Sequence, residues 1–262
     1  MNILDTIIAK KKIEVAERKE IKSISELEKG PFFKNETLSF GAYLLRKDKT
    51  GIIAEYKRKS PSKGIINDKS TVTEVTTAYA KYGASAISVL TDEEFFGGSL
   101  EDLLESTINE VPLLRKDFIV DEYQLIESKA YGAEVILLIA ACLTKDEVKT
   151  LAGFAKNIGL NVLLEIHNEQ ELPHICDDVD VVGVNNRDLK TFKVDINRSV
   201  ELSEQIPADK IKISESGIDT IESIKLLKKY GFNGFLIGER FMREKNPGLA
   251  FQNFAQELKM QL

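Results

Sequence analysis

Between Gly51 and Gly64 the chain reads Gly-Ile-Ile-Ala-Glu-Tyr-Lys-Arg-Lys-Ser-Pro-Ser-Lys-Gly. It opens as a buried strand and ends in charge. Ile52, Ile53 and Ala54 form an apolar run with a β-branched bias. Side chains alternate across a strand, so Glu55 and Lys57 project to one side and Tyr56 and Arg58 to the other. A carboxylate and an ammonium on one strand face can exchange protons with a ligand if that face lines a pocket. On an open edge they are only solvated charges. Ser60-Pro61-Ser62 ends the strand, because proline cannot extend a ladder. The pattern then recurs. Apolar runs end in Arg115-Lys116-Asp117-Phe118, in Glu165, in Asn185-Asn186-Arg187, in Glu215-Ser216-Gly217 and in Gly238-Glu239.

These residues act together only if the elements that carry them converge. Strands are expected over 51–58, 84–90, 111–116, 134–140, 160–166, 179–184, 210–214 and 232–237. Helices are expected between them: over 71–82, from Ser99 to about 109, over 121–131 up to Gly132, and from Thr144 with Glu147 at the capping-box position. Further helical stretches open at Asn168, cover 197–204, run over 220–230 up to Gly231, and follow Asn246-Pro247-Gly248. Phe95-Phe96-Gly97-Gly98 reads as a loop. Eight strand–helix units over roughly 210 residues match an α/β fold of the (β/α)8 TIM-barrel type. A doubly wound open sheet is the runner-up, but no Gly-x-Gly-x-x-Gly follows any strand. The chain reads as one domain over 1–262, with residues 1–48 as an N-terminal helical extension and 49–262 as the barrel. In the extension Leu4, Ile7, Ile8 and Val15 recur at helical spacing. The segment up to about residue 45 precedes the first strand, so barrel closure is not expected to need it.

Bulk properties narrow the function. The 262 residues are 43% hydrophobic and 30% charged, with net charge −6. That acidity disfavours a nucleic-acid binder, which needs a basic footprint. No apolar run is long enough to span a bilayer, and the first residues do not read as a signal peptide. Cys142 and Cys176 have no Cys-x-x-Cys spacing, so a reduced, cytoplasmic protein without disulfides is expected. His167 and His174 lack the companions of a zinc site, and no metal is expected.

In such a barrel the active site lies at the C-terminal ends of the strands. That rule would bring Glu55, Lys57, Lys116, Glu165, Asn185, Glu215 and Ser216 into one mouth. The turns after strands seven and eight are the usual place for a phosphate, and Gly217 and Gly238 let backbone N–H groups approach an anion closely.

The segments Ile-Ala-Glu-Tyr-Lys-Arg-Lys-Ser-Pro-Ser at 53–62, Lys-Asp-Phe-Ile at 116–119, Gly-Val-Asn-Asn-Arg-Asp-Leu at 183–189, Ser-Glu-Ser-Gly-Ile at 214–218 and Leu-Ile-Gly at 236–238, in this order, closely resemble the indole-3-glycerol phosphate synthase family. The likeness covers almost the whole chain. It implies closure of the pyrrole ring of 1-(2-carboxyphenylamino)-1-deoxyribulose 5-phosphate in tryptophan biosynthesis, with loss of carbon dioxide and water and with no metal or organic cofactor. By the resemblance Lys116 is the general acid, with Glu55 as its natural partner, and Glu55 and Glu165 stabilise the cationic intermediate. Glu165 and Lys57 serve the dehydration. Asn185 and Ser216 hold the sugar end. Lys57, Gly217, Gly238 and the backbone of Glu239 hold the phosphate, and Glu215 lies against the substrate. Ser60 and Arg187 meet the benzoate carboxylate. Pro61, Phe96, Phe118 and Leu137 enclose the ring, Leu137 fitting ordinary core equally well. The expected partner is thus a small phosphorylated substrate, with no nucleic acid or membrane, and the expected state is a monomer. Two alternatives stand beside this reading. One is another phosphosugar TIM-barrel isomerase such as phosphoribosylanthranilate isomerase, which resembles a Cys–Asp acid–base pair with the cysteine ending strand one. The other is a non-catalytic phosphate-binding barrel.

Overall fold

The computed structural model describes residues 3–189 and 191–261. Eight parallel strands close into a barrel: β1 (Ile52–Tyr56), β2 (Ala86–Leu90), β3 (Leu113–Lys116), β4 (Val135–Ile139), β5 (Asn161–Ile166), β6 (Val181–Asn185), β7 (Ile211–Glu215) and β8 (Phe232–Ile237). Each strand pairs with its sequence neighbours, and β8 returns to β1 with Ile52 opposite Phe235. This is the barrel the alternating pattern predicts. The strands read as continuous apolar runs because both faces are covered. Outward residues such as Ile87, Leu138, Val162 and Val184 pack under the helices, and inward residues such as Ile53, Leu114, Leu163, Val181 and Ile213 fill the interior.

The helices that position the strands are α1 (Ile3–Ile21), α2 (Phe40–Leu45), α3 (Val72–Lys81), α4 (Leu100–Ser106), α5 (Glu122–Ala130), α6 (Lys145–Asn157), α7 (Asn197–Leu202), α8 (Ile221–Lys229) and α9 (Pro247–Gln261). Thr71, Ser99, Asp121, Thr144 and Thr220 cap the helices they precede, and Thr144 and Glu147 complete the capping box expected of them. Each such cap is worth about 1 kcal/mol. Among the described residues no helix is long and apolar enough to cross a membrane.

Three local features differ from the sequence reading. The first barrel strand stops at Tyr56, and Lys59–Ser60 folds back on Gly64–Ile65 as a small antiparallel hairpin. The expected loop at 95–98 begins as a helical turn, Glu93–Phe96, because the Asp92 carboxylate accepts from the N–H groups of Phe95 and Phe96 at 2.7 and 3.3 Å. The third is a correction. The leading segment is not all dispensable to closure, since α2 plugs the N-terminal end of the barrel. Phe40 and Leu44 are buried in the interior cluster, and the Phe40 N–H donates to Asn161 Oδ1 at 3.3 Å, at the first residue of β5.

Ahead of the plug, α1 lies along the outside of the barrel towards the mouth. Val15 and Leu27 pack on Tyr123, Ile126 and Ala130 of α5. The first turns of α1 reach the mouth, where Ile3, Leu4 and Ile7 face Pro61, Phe96, Phe118 and Phe192 across a shared cleft.

Candidate active site

Two-residue alternation sets the chemistry. On β3, Leu114 points inward and therefore so does Lys116, while Arg115 points out to the helix layer. On β5, β6 and β7 the same rule sends Glu165, Asn185 and Glu215 into the mouth above Leu163, Val181 and Ile213. Lys116 Nζ lies 2.7 Å from Glu165 Oε2 and 3.3 Å from Glu215 Oε2. Asn185 Nδ2 donates to the other Glu165 oxygen at 3.1 Å. Across the mouth, Lys57 Nζ donates to Glu55 Oε1 at 2.6 Å.

This corrects one expectation. Glu55 is not the direct partner of Lys116. It is taken by Lys57 on its own strand face, and Lys116 pairs with Glu165 and Glu215. Glu55 still contributes at longer range to holding Lys116 charged. Burial alone would favour neutral Lys116, but Glu165, Glu215 and Glu55 raise its pKa above the usual lysine value.

Three carboxylates and two ammonium groups therefore meet in a mostly buried mouth, and the carboxylates are not equivalent. Burial pushes Glu165 up, but Lys116 and His167 overcome this and keep it ionised, well below the usual carboxylate range. Burial also raises Glu215, and Lys116 offsets this only in part. Its pKa stands at about 7, with Glu165 and Glu55 adding to the rise. Glu215 is thus the carboxyl group able to change protonation near neutral pH. The sequence reading gave it only a contact role.

The sequence presents His167 only as a zinc-ligand candidate without companions. It is nearly buried, with Nε2 3.2 Å from Glu165 Oε1 and Nδ1 3.3 Å from Glu171 Oε2. Its position two residues after Glu165 was the signal available. Burial favours the neutral ring, but the two carboxylates outweigh it and raise the pKa to about 9. The unfolded value is about 6.5, so the folded chain binds this proton more tightly. The resulting stability is fully present below about pH 6.5 and is lost as pH rises through about 9. Urea unfolding across that window is expected to show a decline that His167→Gln largely removes. Parallel curves for the two proteins would contradict the pairing.

The other predicted residues divide among adjoining clefts. Phe96, Phe118, Leu137, Arg187 and Ser216 line the same cleft as the charged groups. Phe96 and Phe118 face each other at 6.1 Å between ring centres, and Leu137 forms part of the barrel interior beneath them. Ser60 and Pro61 sit in the neighbouring cleft under α1. Gly217, Gly238 and Glu239 line a third, together with Arg187, Lys63 and Arg240. Lys57 does not line that third cleft; its cations are Lys63 and Arg240, which the sequence reading does not name, and Arg187, which it assigns to the benzoate carboxylate. The Glu239 carboxylate is engaged by Lys63 at 3.7 Å and Arg187 at 3.6 Å, which moderates its repulsion of an anion. Ser216 is held at φ 68 beside Gly217, and Asn186 Nδ2 fixes the turn by donating to the Ser216 carbonyl at 3.0 Å. Such a conformation in a non-glycine residue is uncommon and concentrates at functional turns. A Cβ at Gly238 would lie 2.6 Å from Glu55 Oε1, so a side chain there displaces Glu55 before it meets any anion. Gly238 thereby serves the carboxylate as much as the phosphate turn.

Comparison with known proteins decides between the readings. The indole-3-glycerol phosphate synthase family model matches residues 4–254. The chain belongs to the indole-3-glycerol phosphate synthase family. It is 46% identical over 259 residues to the indole-3-glycerol phosphate synthase of Bacteroides thetaiotaomicron, covering 98% of this chain and 99% of that one. It is 45% identical over 250 residues to that of Alkaliphilus metalliredigens, covering 94% and 95%. A variant tryptophan synthase α-subunit of Pyrococcus furiosus shares the fold, with a TM-score of 0.61 at 16% identity, covering 81% of this chain and 99% of that one. Indole-3-glycerol phosphate synthase membership sets aside the isomerase and the non-catalytic barrel. In agreement, Glu55 lies at the end of the first strand with Lys57 just beyond it, and Cys142 follows β4 instead of ending β1.

Proposed function

We propose that this chain converts 1-(2-carboxyphenylamino)-1-deoxyribulose 5-phosphate to indole-3-glycerol phosphate, in the reducing cytoplasm, by the following division of labour. The single observation that carries the reading is Lys116, poised between Glu165 and Glu215 at the centre of a cleft with an aromatic wall on one side and a cation-lined turn on the other.

The benzoate ring packs against the wall formed by Phe96 and Phe118, with its carboxylate towards Arg187 and Ser60. The phosphate lies at the Gly217 and Gly238 turns, assisted by Lys63. Anchoring both ends brings the carboxylate-bearing ring carbon against the sugar ketone, which removes most of the entropic barrier to ring closure. As the carbon–carbon bond forms, Lys116 gives its proton to the ketone oxygen. The positive charge left on the nitrogen-bearing system is balanced by Glu55 and Glu165. The bond to the carboxylate then breaks, carbon dioxide leaves, and its electron pair restores the ring. Glu165 and Lys57 are the acid and base that expel the hydroxyl as water, and Asn185 and Ser216 hold the sugar chain meanwhile.

The test is direct. The carboxyphenylamino sugar phosphate is supplied to the purified chain and indole absorbance is followed. Appearance of an indole chromophore with stoichiometric carbon dioxide is the expected result, and its absence overturns the reading.

A further inference from the structure

Lys11 occupies a position that amphipathic spacing would give to an apolar residue. It follows Ile7 and precedes Val15 on the buried stripe of α1, and it is only 1% exposed. Its Nζ lies 3.0 Å from Asp92 Oδ2, 3.0 Å from Asp117 Oδ1 and 2.8 Å from Glu14 Oε2. Burying an ammonium group is costly unless it is paired, and three carboxylates pair it. They also outweigh burial and raise its pKa above the usual lysine value, so it stays charged.

The two aspartates each control an aromatic residue of the cleft. Asp92 ends the loop after β2, and its other oxygen caps the turn bearing Phe96 by accepting from the Phe95 and Phe96 N–H groups. Asp117 follows Lys116 on β3, and its Oδ1 accepts from the Phe118 N–H at 2.8 Å. Its Oδ2 is fixed from the far side by Thr91 at 2.7 Å and Arg115 at 3.0 Å. Beyond Arg115 the charges run on through Glu127 (2.9 Å), Arg18 (3.1 Å) and Glu14 (2.5 Å) back to Lys11. Lys11 is the member of this ring that also reaches Asp92. It therefore ties the loop carrying Phe96 to the loop carrying Phe118, through an element that precedes the barrel.

We propose that Lys11 is a positioning residue for the aromatic half of the site, setting the placement of Phe96 against Phe118 by bridging Asp92 and Asp117. The inference rests on the assignment of that aromatic wall to the benzoate ring. Without Lys11, Asp92 and Asp117 would face each other as like charges and move apart, separating the two rings and breaking the wall. The phosphate turns after β7 and β8 have no part in the bridge.

The experiment compares the full chain with Lys11→Met, using three readouts. KM for the carboxyphenylamino sugar phosphate is expected to rise by roughly tenfold, within the hundredfold or so that a misplacement of about 1 Å can cost. Binding of 2-aminobenzoate, read by its own fluorescence, is expected to weaken in parallel. Competitive inhibition by inorganic phosphate is expected to be unchanged. A residue that only stabilised the fold would lower the melting temperature and leave these constants alone in the folded fraction. Adding Asp92→Asn to Lys11→Met is expected to recover most of the lost affinity, because an amide still caps the turn and can donate to Asp117. Unchanged KM and 2-aminobenzoate affinity in folded Lys11→Met, equal loss of phosphate inhibition, or no recovery in the double variant would each overturn the proposal. A parent chain that forms no indole product overturns the reaction instead, and the fluorescence titration still reads the aromatic wall.

Discussion

Lys116→Met is expected to abolish turnover, by a factor of about a thousand or more, while substrate affinity changes far less. The geometry gives the reason. The proposed binding contacts are spread over the aromatic wall, Arg187 and the glycine turns, whereas Lys116 is the ammonium group held by both Glu165 and Glu215 at the centre of the cleft. Its proton is needed as negative charge develops on the ketone oxygen, so its loss is felt in the transition state more than in the ground state. A lysine held charged by two carboxylates is a weak acid until one of them is displaced. Glu215 is the one to yield, since it lies farther from Lys116 and its pKa stands at about 7 because of burial. On the proposed mechanism the substrate oxygen is expected to take the place of Glu215 beside Lys116 on binding. Methionine keeps the length of the side chain and leaves Glu165 and Glu215 without their shared cation. Glu215 can relieve that by taking up a proton, so the variant is expected to fold with reduced stability. Single-turnover kinetics and a substrate titration on the same folded sample separate the two effects. Turnover within a few-fold of the parent would remove Lys116 from the acid role.

Where the sequence was legible, it was so because one physical rule acted alone. Apolar runs covered on both faces could only be parallel strands, and alternation within them put Glu55, Lys116, Glu165, Asn185 and Glu215 on the inward side. The caps at Ser99, Thr144 and Thr220 were readable because they are satisfied within their own turn. What escaped depends on contacts between distant segments. Lys11 reads as a surface residue in its own helix, and Asp92 and Asp117, some 80 to 106 residues away, join Glu14 in making its burial tolerable. His167 looked like an isolated polar residue because Glu171 reaches it from a later turn. The pairing of Glu55 with Lys57 was implicit in their shared strand face. The helical turn at Glu93–Phe96 was hidden by the two glycines that follow it, although Asp92 carried its capping signal.

Deleting the leading segment is expected to have opposite outcomes depending on where the cut falls. A chain lacking residues 1–35 loses α1, with Ile7, Val15 and Leu27 buried against the barrel and α5. At about 1.5 to 3 kcal/mol for each buried side chain, this removes several kcal/mol. That is a large part of the 5 to 15 kcal/mol typical of a domain, but it need not exhaust it. The barrel interior, including Phe40 and Leu44, is untouched. Such a chain is expected to fold with a lower melting temperature. Its kcat/KM should fall by about a hundredfold or more, since the bridge through Lys11 and the cover supplied by Ile3, Leu4 and Ile7 go together. A chain lacking residues 1–45 also loses Phe40 and Leu44, which opens the N-terminal end of the barrel to water. Removing large side chains from a close-packed interior costs about 2 to 5 kcal/mol each. Added to the losses from α1, that is expected to unfold the domain. Circular dichroism and indole formation measured on the same samples separate the cases. Unaltered kinetics in a well-folded 1–35 deletion would make α1 an inert surface helix. A cooperative melt for the 1–45 deletion would show that the strands close without their plug.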